Sequence, residues 1–246
     1  MTVESVNLKP GVLFVQTLSG GVLMDITADR FIALTPLSAL IWSSLASGQR
    51  TKELIDKIRR ARGVRAESAE ALVTHQLVCW EKADLINSGQ SAEVLPQPKA
   101  SPTMSPAELS MATFQSEPLV PWLVASFFIV EFKYRRAIAK RGLAKALVSL
   151  QGEDGPPVKA QEAVIVRTIR NYHALRRAFR QGDEARDCLF RSVALAAVLR
   201  RQGVQADLCI GIIDLPFSSH AWVEAHGFVV NETLSKRKDY TIIGRF

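Results

Sequence analysis

A thiol and an imidazole carry the chemical promise of this sequence. The chain holds three cysteines, Cys79, Cys188 and Cys209, and four histidines, His75, His173, His220 and His226. Cys188 follows Asp187 and opens an apolar stretch that runs through Val193, Leu195, Val198 and Leu199 to Gly203. That pattern predicts a buried helix with Asp187 as its N-cap and glycine as its stop. A thiol in the first turn of a helix lies at the positive end of the backbone dipole, where unpaired N–H groups favour thiolate over thiol. The same N–H groups can hold the oxyanion of a tetrahedral intermediate. A free cysteine is also a good packing residue, so position alone leaves Cys188 open between core and nucleophile. Cys79, expected on an apolar helix face, and Cys209, expected inside an apolar strand, fit the core reading.

The histidines narrow the choice. His75 precedes a proline-rich boundary and belongs to another domain, His173 sits among arginines on an exposed-looking helix, and His226 lies in a turn beside Gly227. His220 alone begins an alternating stretch, where a strand holds a side chain rigidly and aims it to one side. A cysteine and histidine distant in sequence but adjacent in the fold are the usual form of a thiol nucleophile with its base. A third group must orient the imidazole, and Glu224, Asn231 and Glu232 compete for the role. A three-residue turn over residues 225–227 puts glycine where a left-handed residue is wanted. A two-residue turn at His226-Gly227 would force histidine to positive φ, at higher cost. The longer turn sets position 220 opposite 232, with Cβ atoms about 5 Å apart, and favours Glu232. The shorter turn would bring Asn231 to the histidine side instead. Glu224 lies four residues along the same strand, too far to serve.

These groups need elements to hold them. Residues 12–17, 22–26 and 31–34 alternate as strands, separated by turns at Ser19-Gly20-Gly21 and at residues 27–30. Thr35-Pro36 supplies an N-cap and a proline at the first helical position. Helices are predicted from there to Gly48, from about Thr51, and from about Glu67 to Ala83. The third carries Ala69, Leu72, Val73, Gln76, Leu77 and Trp80 on its apolar face. Three strands and three helices make a small α+β unit of winged-helix type over residues 1–88.

Residues 89–118 then change character, with Pro96, Pro98, Pro102 and Pro106 among serines and alanines. Such a composition reads as a linker that holds neither helix nor ladder. A second domain occupies residues 119–246. It is expected to open with a long basic helix pair broken at Gly142 and a helix over residues 161–180. The Cys188 helix follows, then strands over residues 206–213, 219–224, 228–232 and 240–243. Helices followed by an antiparallel sheet again give an α+β fold.

Composition bounds the function. At 246 residues with 48% hydrophobic and 22% charged content, the chain can bury ordinary globular cores. The odd, widely spaced cysteines offer no C-x-x-C metal or redox pair and no disulfide framework. Residues 1–7 lack the order of a signal peptide, which points to the cytoplasm. The longest apolar run, residues 119–130, is too short for a membrane span and is expected as a buried helix. The net charge of +7 comes from arginines scattered along helices, so solvated helix faces are favoured over a nucleic-acid surface.

The motif as a whole resembles a known family. Asp187-Cys188-Leu189, Arg191-Ser192, Ala194-Leu195, Leu199-Arg200-Arg201 and Gly203 come first. Ile210-Gly211-Ile212, Pro216-Phe217, His220-Ala221-Trp222-Val223-Glu224 and Val230-Asn231-Glu232 follow. Together they resemble the leader peptidase of lasso-peptide biosynthesis, the B protein, whose fold is transglutaminase-like and papain-related. Gly20-Gly21, residues 22–25, residues 30–34 and Leu40-Ile41-Trp42 resemble a PqqD-like precursor-recognition element, so the whole looks like a fused B protein.

The resemblance implies Cys188 as nucleophile, His220 as base and then acid, and position 232 as the orienting acid, more often aspartate in this fold. It implies hydrolysis of the leader–core bond of a ribosomally made precursor. The leader would bind as an added strand beside Phe31, Ile32, Ala33 and Leu34 and a helix face with Val73, Leu77 and Trp80. Both contact stretches also read as plain core. No metal and no bound cofactor is implied; ATP would serve only an asparagine-synthetase-like macrolactam cyclase, the expected partner that takes the freed core. The rivals are another acyl transfer on the same scaffold, such as a transglutaminase, and a non-catalytic peptide- or DNA-binding module. Against the last, the basic run of residues 57–62 carries no base-reading set.

Overall fold

The computed structural model describes residues 6–87, 96, 98–99, 107–108, 118–159, 161–178 and 187–246. The chain divides into two compact units, Met1–Leu95 and Pro96–Phe246, both of mixed α and β structure.

In the first unit, β1 (Asn7–Leu8) precedes the antiparallel meander β2 (Val12–Gln16), β3 (Gly21–Asp25) and β4 (Arg30–Leu34). Three helices follow: α1 (Pro36–Ala46), α2 (Thr51–Arg62) and α3 (Ala66–Lys82). The Thr35 hydroxyl caps α1 by accepting from the Ser38 N–H, as Thr-Pro predicts. Then β5 (Ile86–Asn87) returns to pair with β1, a two-stranded ladder that lay below the sensitivity of alternation. The apolar faces of the meander and helices enclose one core, in which Leu23, Ile41, Leu54, Ile58, Val73 and Leu85 are fully buried. At its centre Trp42 and Trp80 meet edge to face with centroids 5.0 Å apart, a geometry that suits the aromatic quadrupole.

In the second unit, α4 (Pro121–Gln151) is interrupted at Gly142, whose φ of 82° is left-handed; the break falls where the sequence predicts it. Pro121 does not break the apolar run but starts the helix, where its missing N–H costs nothing. The run is only half buried. Leu123, Phe127 and Val130 face inward, whereas Trp122, Ile129 and Phe132 are exposed, correcting the expectation of a buried helix. The order continues with α5 (Gln161–Ala178), α6 (Asp187–Arg201), β7 (Ala206–Ile213), β8 (Ser218–Ala225), β9 (Phe228–Val229), α7 (Leu234–Asp239) and β10 (Thr241–Arg245).

The sheet runs β10-β7-β8-β9-β6, where β6 is Ala107–Glu108 and pairs parallel to β9. Most of the proline-rich segment lies outside the described residues. Where it is described it does form a short ladder, against the expectation that it could not, because the backbone groups at the β9 edge accept a partner free of proline. Helix α6 packs against α4 on one side and β7 and β8 on the other, so Val193 through Leu199 are all buried and the helix is apolar nearly all round. Asp187 is not an external cap. It is the first residue of α6, and its buried carboxylate accepts from Arg135 of α4 and from Arg191 one turn on. An acid there also meets the positive end of the dipole.

Candidate functional site

Helix α6 delivers Cys188 at its second residue, and β8 delivers His220 in its first half, directly across from Gly211 of β7. The thiol and the imidazole are hydrogen bonded. On its other side His220 Nε2 lies 2.7 Å from Glu232 Oε2, which leaves Nδ1 as the nitrogen for the sulfur. The structure therefore brings Cys188, His220 and Glu232 together in a line. Glu232 is itself held: its Oε1 accepts from the Thr233 N–H, and Lys236 of α7 donates to Oε2 at 2.9 Å.

The electrostatics favour an ion pair. Burial alone pushes the Cys188 thiol up. Hydrogen bonds from His220 and from the backbone at Ala221 and Leu189, with the charge of His220, outweigh burial and hold the thiol below its ordinary value. Burial would push the His220 cation down, but the bonds to Cys188 and Glu232 and the thiolate charge raise it to about 9, with Lys236 opposing. Burial likewise raises Glu232, and bonds from His220, Lys236 and Thr233 bring it down to about 2. The two partners shift in opposite senses, as expected of a coupled thiolate and imidazolium.

An aromatic wall backs the imidazole. Trp222 lies nearly parallel to it at 6.3 Å between centroids, and Tyr240 is tilted against it at 5.4 Å. Trp222 is fixed by donating from Nε1 to buried Glu224, which also accepts from Arg237 and pairs with Arg245. Glu224 is thus bound to this second network rather than to His220. Gly211 makes room for the wall, since a Cβ there would lie 2.7 Å from the Trp222 ring.

The hairpin register differs from the expected one. Ala225 pairs with Phe228 and Glu224 with Val229, so the turn has two residues, with His226 at φ 48° and Gly227 at φ 80°. This is the primed geometry that matches strand twist, and the twist outweighs the cost of left-handed histidine. In this register residue 232 would fall on the wrong face, but the ladder ends early. Val230 N–H still bonds to the Val223 carbonyl. The Val223 N–H, however, goes to the side-chain Oδ1 of Asn231. The chain peels away there, and Glu232 swings to His220. Asn231 instead donates from Nδ2 to Ser192. Sequence reasoning selected Glu232 through a register the molecule does not use; it weighed Asn231 only as an orienter of His220 and did not foresee its bond to Ser192.

The other thiols and histidines lie elsewhere. Cys209 is buried in β7, as expected, and burial pushes its thiol up. Cys79 is exposed, not core; its sulfur lies 3.7 Å from His75 Nε2 on the outward side of α3. His173 rests against Tyr172. In the first unit, Leu34, Val73, Leu77 and Trp80 belong to the core, Phe31 and Ile32 are half-buried, and Ala33 is exposed. β4 forms one edge of the three-stranded sheet. Among the described residues no cluster of histidine, cysteine or acid could hold a metal ion, and no helix is long and apolar enough to cross a membrane.

A family-model match falls on the half of the chain that carries Cys188, His220 and Glu232. Residues 128–245 match the model of the transglutaminase-like superfamily. The microcin J25-processing protein McjB of Escherichia coli is 32% identical over 112 residues, which are 46% of this chain and 52% of that protein. The chain thus spans about half the length of the curated relative it matches. Among solved structures, TbiB1 in complex with the TbiA(beta) leader peptide aligns with a TM-score of 0.32 and 20% identity, covering 35% of this chain and 99% of that one. The second unit carries a transglutaminase-like domain, and the chain is similar in sequence to a microcin-processing protein over about half of that protein's length.

Proposed function

We propose that this protein is a cysteine peptidase that removes the leader from a ribosomally made lasso-peptide precursor. One observation carries the reading: the imidazole of His220 is hydrogen bonded to the thiol of Cys188 and to the carboxylate of Glu232 at once. The Cys188 thiolate attacks the carbonyl carbon of the scissile bond, and the oxyanion faces the N–H groups at the start of α6. His220, as imidazolium, gives its proton to the leaving amine of the core peptide while the leader remains as a thioester. Neutral His220 then takes a proton from water, whose oxygen attacks the thioester carbon. The leader acid departs and the thiolate and imidazolium are restored. Glu232 orients the ring and balances its charge throughout.

Leader recognition belongs to the first unit in this reading. The outer edge of β4 offers backbone donors and acceptors to an extended peptide, which would add as a fourth strand. Val73, Leu77 and Trp80 support that edge from the core rather than meeting the peptide with whole side chains. The core peptide, with its new amine, would pass to an ATP-using, asparagine-synthetase-like cyclase.

The test is incubation with a synthetic leader–core peptide. Wild type should release both halves, and Cys188→Ala and His220→Ala should release neither while still binding the leader. Cleavage by Cys188→Ala would end this reading. Transfer of the leader to an added amine, in place of hydrolysis, would mark an acyltransferase.

A further inference from the structure

We propose that Ser192 and Asn231 are positioning residues, a hydrogen-bonded pair of one buried and one half-buried side chain that sets the mutual geometry of Cys188, His220 and Glu232. The inference rests on the peptidase reading for its consequence, though the geometry stands by itself. Ser192 is fully buried one turn beyond Cys188, on the same side of α6. Its hydroxyl donates to the carbonyl of Ala221 at 2.9 Å, the residue after His220. A carbonyl only accepts, so the hydroxyl proton is committed there, and its oxygen must accept from the Asn231 Nδ2 at 3.0 Å. That assignment points Asn231 Oδ1 at the Val223 N–H, 2.7 Å away. Asn231 is the residue before Glu232.

Each residue of this chain of bonds is therefore close along the backbone to one member of the site: Ser192, one turn on, to the nucleophile, Ala221 to the base and Asn231 to the acid. The three members come from a helix, a strand and the connection between β9 and α7, and none is a covalent neighbour of another. The pair also ends the β9 ladder, by taking the Val223 N–H, and so turns Glu232 toward His220. Both side chains use their donors and acceptors in one direction, and no alternative pairing satisfies the buried groups equally. Removing either residue leaves a partner unsatisfied and loosens α6 against β8 at the level of the sulfur. A misplacement on the order of 1 Å costs such sites up to about a hundredfold.

The experiment measures alkylation of Cys188 by iodoacetamide at neutral pH, in a Cys79→Ala background, alongside kcat and KM for a leader–core peptide. Ser192→Ala and Asn231→Ala should each slow alkylation about tenfold or more, and lower kcat with KM nearly unchanged. The double variant should cost little more than either single one. Ser192→Thr, which restores the hydroxyl, should recover most of the rate. Ile165→Val in the core of α5 serves as a control for a general loss of Tm and should leave alkylation unchanged. If Ser192→Ala does not fold, Asn231→Ala carries the test. Alkylation within about twofold of wild type in the alanine variants, or a loss reproduced by Ile165→Val, would overturn the proposal. Alkylation needs no peptide, so a wild type that cleaves nothing would sink the peptidase reading and leave this result to be judged separately.

Discussion

Among the described residues two cysteine–histidine contacts can be set side by side, and their difference shows what proximity alone does not supply. On α3, Cys79 and His75 lie 3.7 Å apart, four residues from each other along one helix, exposed to solvent. In the second unit, Cys188 and His220 come from a helix and a strand and are half-buried. Cys188 is in the first turn of its helix, near the positive end of the dipole, whereas Cys79 is in the last full turn of α3, near the carbonyl end. His220 has Glu232 behind it at 2.7 Å. The helix dipole, the burial and the acid convert a contact into a poised ion pair. Residue types are the same in both places.

Substitution breaks the comparison most sharply. Cys188→Ala should abolish cleavage of a leader–core peptide, and Cys79→Ala should leave kcat within about twofold of wild type; chromatography of the products decides. Next in size, Glu232→Gln should lower kcat on the order of a hundredfold, because glutamine can accept from Nε2 but cannot balance an imidazolium. A smaller effect is expected from pH. The His220 cation is raised to about 9, so activity that needs its proton should persist through neutrality and fall as pH rises through about 9. A fall centred near the ordinary imidazole value would contradict the ion pair. Smallest of all, Lys236→Met should move that alkaline limb upward by a fraction of a unit, since Lys236 opposes the His220 charge. The group is about half exposed, and solvent screens it.

Much of this was legible in the sequence because local rules decided it. Thr35-Pro36 capped a helix, Gly142 broke one, and apolar periodicity from Val193 to Leu199 buried another. The misses share a cause, which is competition between a local rule and a tertiary one. His226 takes a left-handed conformation because sheet twist demands a primed turn. Asp187 enters its helix because Arg135, distant in sequence, pairs with it. Asn231 replaces a ladder carbonyl with its own side chain, an exchange that alternation of apolar and polar residues cannot reveal. Cys79 sits between Val78 and Trp80 and so looks apolar in one dimension, yet the helix turns it outward.

The tight turn at His226-Gly227 separates durability from turnover. Histidine there adopts a backbone conformation that asparagine accepts more readily, and it is exposed in the turn beyond the end of β8 remote from His220. Replacing it with asparagine should raise the melting temperature slightly and leave the kinetic constants alone. Calorimetry beside a peptide assay checks both. The fold thus offers a site for hardening the protein without retuning its reaction.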